Sequence, residues 1–249
     1  MIHALLLGRD GSRGFPGKNT SLVLGRPMMS YPIMAAQEST FVDKVWVSTD
    51  SPTIAQIGKD MGCGIIMRPP ELCTDQALGE HAYVHGYEWI RDYQPEDIEI
   101  MVLLFCNAPT VTGALIDEGI TALRNDPSLD SAVSVSVYNM WSPLRARRLD
   151  VDGCLKPFVP FETFGDPKTL NCDRDSQGSV YFADMGVSVV RAQCLENLDA
   201  GLLPQKWMGQ RIHPLHQWGG VDVDYEWQVP HVENWLRLHG VTPADGTRP

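Results

Sequence analysis

Residues 1–19, MIHALLLGRDGSRGFPGKN, place a glycine-rich basic loop directly after an apolar run. In α/β proteins a loop of this kind follows the first strand, at the edge of the sheet where nucleotides bind. Glycines let the backbone turn tightly and bring N–H groups close to phosphate oxygens, while nearby cations supply positive charge. The sequence therefore predicts an anion-binding loop, whose glycines and cations are Gly8, Gly11, Gly14, Gly17, Arg9, Arg13 and Lys18.

The spacing of this loop disfavours two common nucleotide-binding motifs. A P-loop of the form GxxxxGK[ST] needs glycine at position 12 and a hydroxyl at position 19, where this chain has Ser12 and Asn19. The run also lacks the GxGxxG order of a dinucleotide-binding fold. A solvated turn whose charges only aid solubility remains the alternative interpretation.

Composition limits the class of protein. With 249 residues, of which 43% are hydrophobic, the chain can form the core of one large α/β domain. A net charge of −11 argues against nucleic acid or an anionic membrane surface as the main partner. No apolar stretch is long enough to span a bilayer and no charged leader precedes the first strand, so we expect a cytoplasmic protein. The cysteines form no CxxC pair, which is typical of reduced thiols; they are Cys63, Cys73, Cys106, Cys154, Cys172 and Cys194.

Strand-like and helix-like patterns alternate up to residue 137. This alternation predicts right-handed βαβ crossovers and a doubly wound, mostly parallel sheet. The predicted strands are 3–8, 44–48, 64–67, 98–105 and 131–137, and the predicted helices are 30–39, 53–61, 79–92 and 112–125.

The alternation stops after residue 137. Residues 138–181 are rich in prolines and turn formers, which predicts an insertion or lid within a single domain, 1–249. Beyond it we expect a strand at 186–190, a short helix at 192–198 and a last helix at 225–238.

Two acidic residues near the end of the chain are candidate metal ligands. In Val221-Asp222-Val223-Asp224, an extended backbone would direct both carboxylates to one face, about 7 Å apart. Magnesium prefers one or two carboxylates together with phosphate oxygens and water, so the pair could present a metal-bound triphosphate to the basic loop. The alternative for Asp224 is a cap on the final helix.

Other polar groups have ordinary structural explanations beside functional ones. Arg68 could hold phosphate or ribose, or form a surface salt bridge. Asp50 or Ser51 before Pro52 is the usual start of a helix, and we expect capping there. His81 and His85 are interpreted as ordinary helix-face histidines.

Four motifs occur in the order of a known family. The loop GRDGSRGFPGKN (8–19), the strand end VSTD (47–50), RPPELCTD (68–75) and the late DVD (222–224) resemble the cytidylyltransferases that make CMP-activated acidic sugars, notably the acylneuraminate cytidylyltransferases. The resemblance implies a Rossmann-like α/β domain, a homodimer with 138–181 as dimerisation segment or acceptor lid, CTP as donor and Mg²⁺ as cofactor. It also implies transfer of CMP to a nonulosonate or related 3-deoxy-2-keto sugar acid, with release of pyrophosphate.

The resemblance further implies roles for individual residues. Arg9 and Lys18 would neutralise the triphosphate, and Asp222 and Asp224 would hold magnesium. The implied nucleotide-binding residues are Gly8, Gly11, Ser12, Asn19 and Arg68, of which Asn19 and Arg68 would contact the cytidine.

The acceptor side departs from the acylneuraminate pattern. The family's QPTSPLR stretch corresponds to 105–111, FCNAPTV, and its FRPNGAIYI to 182–190, FADMGVSVV, so the glutamine and both arginines are missing. The insertion offers Arg145, Asn171 and Arg174 to an anionic acceptor, with Arg147 and Arg148 nearby. The acidic residues Asp173, Asp175 and Asp184 could meet hydroxyl or amino groups of the acceptor, or belong to an ion-pair network between the insertion and the partner subunit. Three alternatives stay open: a different nucleotide donor, a phosphonate acceptor, and a catalytically silent nucleotide-binding protein.

Overall fold

The computed structural model describes residues 1–12, 14–74, 76–171, 173 and 178–244. Its main feature is a seven-stranded sheet in the order β11-β7-β10-β6-β1-β4-β5. All neighbouring strands in it are parallel except at β10, which runs antiparallel to both of its neighbours. The strands of this sheet are β1 (Ile2–Leu7), β4 (Lys44–Thr49), β5 (Gly64–Met67), β6 (Ile100–Phe105), β7 (Ser131–Val137), β10 (Tyr181–Arg191) and β11 (Ile212–Gln217).

Helices cover both faces of the sheet. Successive residues of β1 enter different clusters, because Ala4 and Leu6 pack on one face and Leu5 and Leu7 on the other. The first face is covered by α1, α2 and α4, and the second by α3 and α5. The helices are α1 (Ser30–Glu38), α2 (Pro52–Asp60), α3 (Gly79–Tyr93), α4 (Gly113–Asn125), α5 (Ala192–Glu196) and α6 (Val229–Leu238).

Up to residue 137 the predicted order of elements is confirmed, and the fold is α/β with a mostly parallel sheet, as predicted. The start of α2 also follows the prediction, since Ser51 Oγ accepts a hydrogen bond from the Ile54 amide at 3.5 Å. Among the described residues, no helix is both long enough and apolar enough to cross a membrane.

In the second half, one predicted strand begins earlier than expected and one strand was missed. Strand β10 begins at Tyr181, five residues before the predicted start at 186, so that residue leaves the proposed insertion. Strand β11 was not predicted. The predicted last helix, 225–238, is observed as a 3-10 turn, Glu226–Gln228, that continues directly into α6 at Val229; the Gln228 side chain accepts hydrogen bonds from the amides of Asp224 and Tyr225 and caps this turn.

Two small hairpins stand apart from the large sheet. Strands β2 (Leu22–Val23) and β3 (Arg26–Pro27) form the first, and β8 (Arg147–Leu149) and β9 (Leu155–Pro157) form the second, within the segment 138–181.

A third apolar cluster joins the two ends of the chain. Val23 of the first hairpin packs with Trp235 of α6 and with Val223 of the late acidic segment. Phe15 of the glycine-rich loop packs against the same cluster. Burial of these side chains therefore brings the amino-terminal loop and the late acidic segment together.

Candidate active site

A cavity of about 530 Å³ opens at the carboxyl ends of the parallel strands β1 and β6. This is the edge of an open α/β sheet where ligands bind. The residues that line it are Leu7, Gly8, Arg9, Ser12, Gly14, Lys18, Asn19, Arg68, Leu72, Thr74, Ala77, Leu78, Gly79, Ala82, Phe105, Asn107, Asp224 and Tyr225.

Glycine is required at two points of the loop. A Cβ at Gly8 would lie 2.5 Å from Cys106 Sγ, and a Cβ at Gly14 would lie 2.7 Å from the Asp224 carbonyl oxygen. The loop therefore approaches both β6 and the late acidic segment more closely than any larger residue would allow.

The loop and the late acidic segment meet in an ion pair. Lys18 Nζ lies 2.6 Å from Asp224 Oδ1. The Lys18 side chain is only 14% exposed, whereas that of Asp224 is 57% exposed and lines the cavity. The structure thus places side by side the cation predicted to neutralise the triphosphate and one of the carboxylates predicted to hold its magnesium ion.

The segment 221–224 forms no regular strand and is held in place by Asn107. Val223 is fully buried, its amide donates to the Asn107 carbonyl at 2.8 Å, and the Asn107 side-chain amide donates to the Val223 carbonyl at 3.0 Å. The Asp224 carboxylate pairs with Lys18 and does not cap α6, whose N-cap is Gln228. The capping alternative is therefore wrong.

Asp222 is half-buried beside Asp224. Burial raises the pKa of the Asp222 carboxyl, the negative charge of Asp224 raises it further, and Lys18 acts in the opposite direction. Asp222 does not itself line the cavity.

The protein supplies only some of the ligands that a magnesium ion needs. No group of three or more His, Cys, Asp or Glu residues that could hold a metal occurs among the described residues. Two neighbouring carboxylates beside a cavity fit a Mg²⁺ ion that takes its remaining ligands from phosphate and water. The mutual repulsion that raises the Asp222 pKa is also what a bound cation would relieve.

The buried Arg68 side chain links the carboxyl ends of β1 and β4. Its guanidinium donates to the Ser48 carbonyl at 2.6 Å, to Ser48 Oγ at 3.2 Å and to the Gly8 carbonyl at 3.4 Å. Burial lowers the pKa of Arg68. The residue is buried and pairs with no carboxylate among the described residues, so the structure does not bear out the surface salt bridge; Arg68 also lines the cavity.

Asn19 has an unused acceptor next to the cavity. Its side-chain amide donates to the Arg9 carbonyl at 3.1 Å, which fixes the loop. Its Oδ1 is buried and has no hydrogen-bond partner among the described residues. Since a buried acceptor without a donor is costly, this oxygen is suited to a ligand N–H or O–H group.

The structure brings most, but not all, of the predicted site residues to this cavity. Gly11 lies next to it, in a cleft of about 90 Å³ that shares Arg9 and Ser12 with the cavity wall. Arg145 and Asn171 are exposed and do not line the cavity. Arg174 lies outside the described residues, as do Arg13, Cys172 and Asp175.

Several lining residues were missed by the sequence interpretation. Phe105, Asn107 and Tyr225 line the cavity, and so do residues just before α3 and in its first turn. Phe105 is the last residue of the buried strand β6 and Asn107 comes two residues later, which was a usable signal, whereas Tyr225 had none.

Asp184, proposed from the sequence as an acceptor contact, is occupied within the protein. It is buried, and its carboxylate accepts hydrogen bonds from Ser134, Ser136 and Gln217.

A basic glycine-rich loop and a carboxylate pair at the carboxyl edge of a mostly parallel sheet define a nucleotide-binding α/β protein. The sequence model of the family described as Cytidylyltransferase matches residues 3–198. The chain belongs to this cytidylyltransferase family.

Two relatives indicate the range of the similarity. N-acylneuraminate cytidylyltransferase from Streptococcus agalactiae serotype III is 39% identical over 107 residues, which are 42% of this chain and 25% of that protein. CMP-N,N'-diacetyllegionaminic acid synthase from Legionella pneumophila is 30% identical over 194 residues, which are 73% of this chain and 77% of that protein. The match thus spans a quarter of the first relative and about three quarters of the second.

Among solved structures, the fold is similar to that of CMP:2-keto-3-deoxy-manno-octonic acid synthetase complexed with CTP. The TM-score is 0.66 and the identity 17%, and the match covers 96% of this chain and 99% of that one. At this identity the likeness concerns the fold alone.

Proposed function

We propose that this protein transfers CMP from CTP to a sugar acid and releases pyrophosphate. The observation that carries the proposal is the convergence of Lys18 and Asp224 at a cavity that lies over the ends of β1 and β6. Relatives named as CMP-sugar-acid synthases support the choice of CTP and of an acidic sugar.

The order of the strands suggests how the substrates would be arranged. Arg68 follows β5 and donates to Ser48 of β4, so it lies on the β4 side of β1, where the cytidine would bind. Asn19 Oδ1 would accept a hydrogen bond from the cytidine. Phe105, at the end of β6, lies on the other side of β1 and would face the acceptor.

In the proposed reaction an oxygen of the acceptor attacks the α-phosphorus of CTP, and the bond to pyrophosphate breaks. Negative charge grows on the bridging and non-bridging oxygens, and Arg9 and Lys18 would stabilise it from the loop. Positioning and fixed charge suffice for such a transfer, so no covalent nucleophile is needed.

Magnesium belongs to the proposal as the cofactor. Asp222 and Asp224 would hold it, and when bound it would neutralise charge on the phosphate oxygens. Lys18 would then exchange part of its pairing with Asp224 for the triphosphate.

A homodimer is also proposed, with 138–181 as the insertion that forms the subunit contact. Met140, Trp141 and Phe158 of this segment and Phe182 just beyond it are exposed apolar side chains, and Trp141 packs edge-on against Phe182. Arg145, Asn171 and Arg174 would contact the acceptor from this segment. Exposed apolar surface of this kind is typical of protein contacts.

A cytoplasmic location completes the proposal. The five described cysteines carry free thiols, as expected of a reducing compartment.

The test is acid-dependent release of pyrophosphate. The protein is incubated with CTP and Mg²⁺ and with a panel of 3-deoxy-2-keto sugar acids, and pyrophosphate is measured with and without each acid. We expect release with CTP and at least one acid, and much less with UTP, GTP or dTTP. Tight CTP binding without release on any acid would contradict the proposed activity.

A further inference from the structure

One buried carboxylate has no part in the proposed chemistry. Asp184 is only 5% exposed, and its oxygens accept four hydrogen bonds. The donors are Ser134 Oγ at 2.5 Å, Ser136 Oγ at 2.7 Å, Gln217 Nε2 at 2.9 Å and the Gly186 amide at 3.2 Å. Burial of a carboxylate is costly unless it is well hydrogen-bonded, so the arrangement calls for an explanation.

A bulge in β10 places this carboxylate. The register between β7 and β10 shifts between Ala183 and Ser188, and Met185 within the shift has a φ of 61°. A positive φ at a side chain other than glycine is strained, and bulges that redirect a side chain occur beside functional sites.

One hydroxyl group links the carboxylate to the backbone that precedes the proposed metal ligands. Ser136 Oγ donates its proton to Asp184 at 2.7 Å. The same oxygen accepts a hydrogen bond from the Gly220 amide at 3.0 Å. A Cβ at Gly220 would lie 2.2 Å from Asp184 Oδ2, so the segment 220–224 approaches the carboxylate as closely as glycine permits.

A second connection reaches the next residue along the segment. Gln217 Nε2, which donates to Asp184, also donates to the Thr110 carbonyl at 3.1 Å. Thr110 Oγ1 accepts the Val221 amide at 2.9 Å and donates to the Val221 carbonyl at 3.2 Å. Both amides immediately before Asp222 are therefore held by groups that the Asp184 network orients.

We propose that Asp184 is a positioning residue that holds the segment 220–224 so that Asp222 and Asp224 can bind the divalent cation together. Asp184 touches neither substrate nor metal. The inference rests on the proposed function, in which these two aspartates hold Mg²⁺.

The chemistry of position 184 is specific for a carboxylate. All four partners of Asp184 are donors, and only a carboxylate offers acceptors on both oxygens. In Asp184→Asn, an N–H group would face the Ser136 hydroxyl and the Gln217 amide. Gln217 would have to turn over and lose its bond to Thr110, or two donors would meet.

The test compares Asp184→Asn, Ser136→Ala and Thr110→Val with Ser131→Ala. Ser131 lies on β7, as Ser136 does, is fully buried and donates to the Met208 carbonyl. Ser131→Ala therefore removes a buried hydrogen bond that is not connected to the segment 220–224. Two quantities are measured on the full chain: Mn²⁺ binding in the presence of CTP, from the spectrum of free Mn²⁺, and the Mg²⁺ concentration for half-maximal pyrophosphate release.

We expect Asp184→Asn to weaken metal binding about ten- to a hundredfold, the range typical of losing a group that helps to orient metal ligands. Ser136→Ala and Thr110→Val should weaken it in the same direction, with CTP binding in the absence of metal within a factor of about two. Ser131→Ala should leave metal binding unchanged.

The inference is overturned if all four variants bind Mn²⁺ as the wild type does, whatever their melting temperatures. If Asp184→Asn does not fold, Ser136→Ala and Thr110→Val decide in the same way. Failure of the proposed function is distinguishable, because the wild type would then release no pyrophosphate while Mn²⁺ binding could still be compared among the variants.

Discussion

Lys18 Nζ and Asp224 Oδ1 lie 2.6 Å apart, although 206 positions separate the two residues in the chain. Phe15 and Val223, which neighbour them in sequence, meet at one apolar cluster. Apolar burial thus brings together a cation and a carboxylate that would both act on the same polyphosphate.

Lys18→Ala is expected to abolish most pyrophosphate release without unfolding the protein. Loss of one charge that stabilises a transition state costs about a hundredfold or more in rate. A partly exposed ion pair contributes about 0–1 kcal/mol to stability, so the melting temperature should barely change. The control is Arg124→Ala, which breaks the surface pair between Arg124 and Glu99 at 2.8 Å. Equal activity of the two variants would remove Lys18 from the site.

Phe105→Gln is expected to change the choice of acceptor. The Phe105 ring packs edge-on against Tyr83 and Trp207, so the β6 side of the cavity has an apolar aromatic wall. Such a wall favours acids with methyl, acyl or deoxy groups over acids with hydroxyls there. In the variant, kcat/KM should shift toward the more hydroxylated acids, with the KM for CTP unchanged. A uniform decrease for all acids would show that the ring does not select the acceptor.

Trp141→Asp is expected to convert a dimer into a monomer, because a charge within an apolar contact is costly to bury. Light scattering should give twice the chain mass for the wild type and the single-chain mass for the variant. Leu203→Asp serves as the control, since Leu203 is also an exposed apolar residue, at 80% exposure, but lies outside 138–181. A monomeric wild type would rule out the proposed subunit contact.

His3 should make the protein sensitive to mild acid. It is fully buried, its Nδ1 accepts a hydrogen bond from Trp46 Nε1, and burial lowers the pKa of His3 although Asp43 acts against this. Below the ordinary histidine pKa of about 6.5, the unfolded chain binds a proton at His3 that the folded protein does not bind. The free energy of unfolding therefore decreases as the pH is lowered. When the pH is lowered from about 7.5 to about 5.5, the melting temperature should therefore decrease less for His3→Leu than for the wild type.

The control for this pH dependence is Ile2→Val, which changes a buried side chain next to His3 and neither adds nor removes a titrating group. It should lose as much melting temperature over this range as the wild type. The same loss in His3→Leu would contradict the prediction.

The parts of the fold that could be predicted have local signals. Gly64–Met67 and Ser131–Val137 are apolar or β-branched runs between breakers, and their predicted bounds coincide with the observed ones. Strand β11 contains Pro214 and was missed because proline is rare in sheets. It is tolerated there because β11 is an edge strand, where one side of the backbone has no ladder partner.

The site shows the same division. Lys18 and Asp224 belong to short motifs that carry their own chemistry, and both line the cavity. The partners of Asn107 and Asp184 could not be predicted from the sequence. Asn107 holds Val223, and Asp184 is linked through Ser136 to Gly220, so both contacts join distant parts of the chain and depend on the folded sheet.

The most direct test of a shared metal–triphosphate site is the effect of Mg²⁺ on CTP affinity, measured by calorimetry for the wild type and for Asp222→Asn. The control is Asp199→Asn, which removes an exposed carboxylate paired with Lys206. We expect Mg²⁺ to tighten CTP binding in the wild type and in the control, and to have no such effect in Asp222→Asn, whose metal-free CTP affinity should be equal or higher because one negative charge is gone. An undiminished gain from Mg²⁺ in Asp222→Asn would contradict the proposed site.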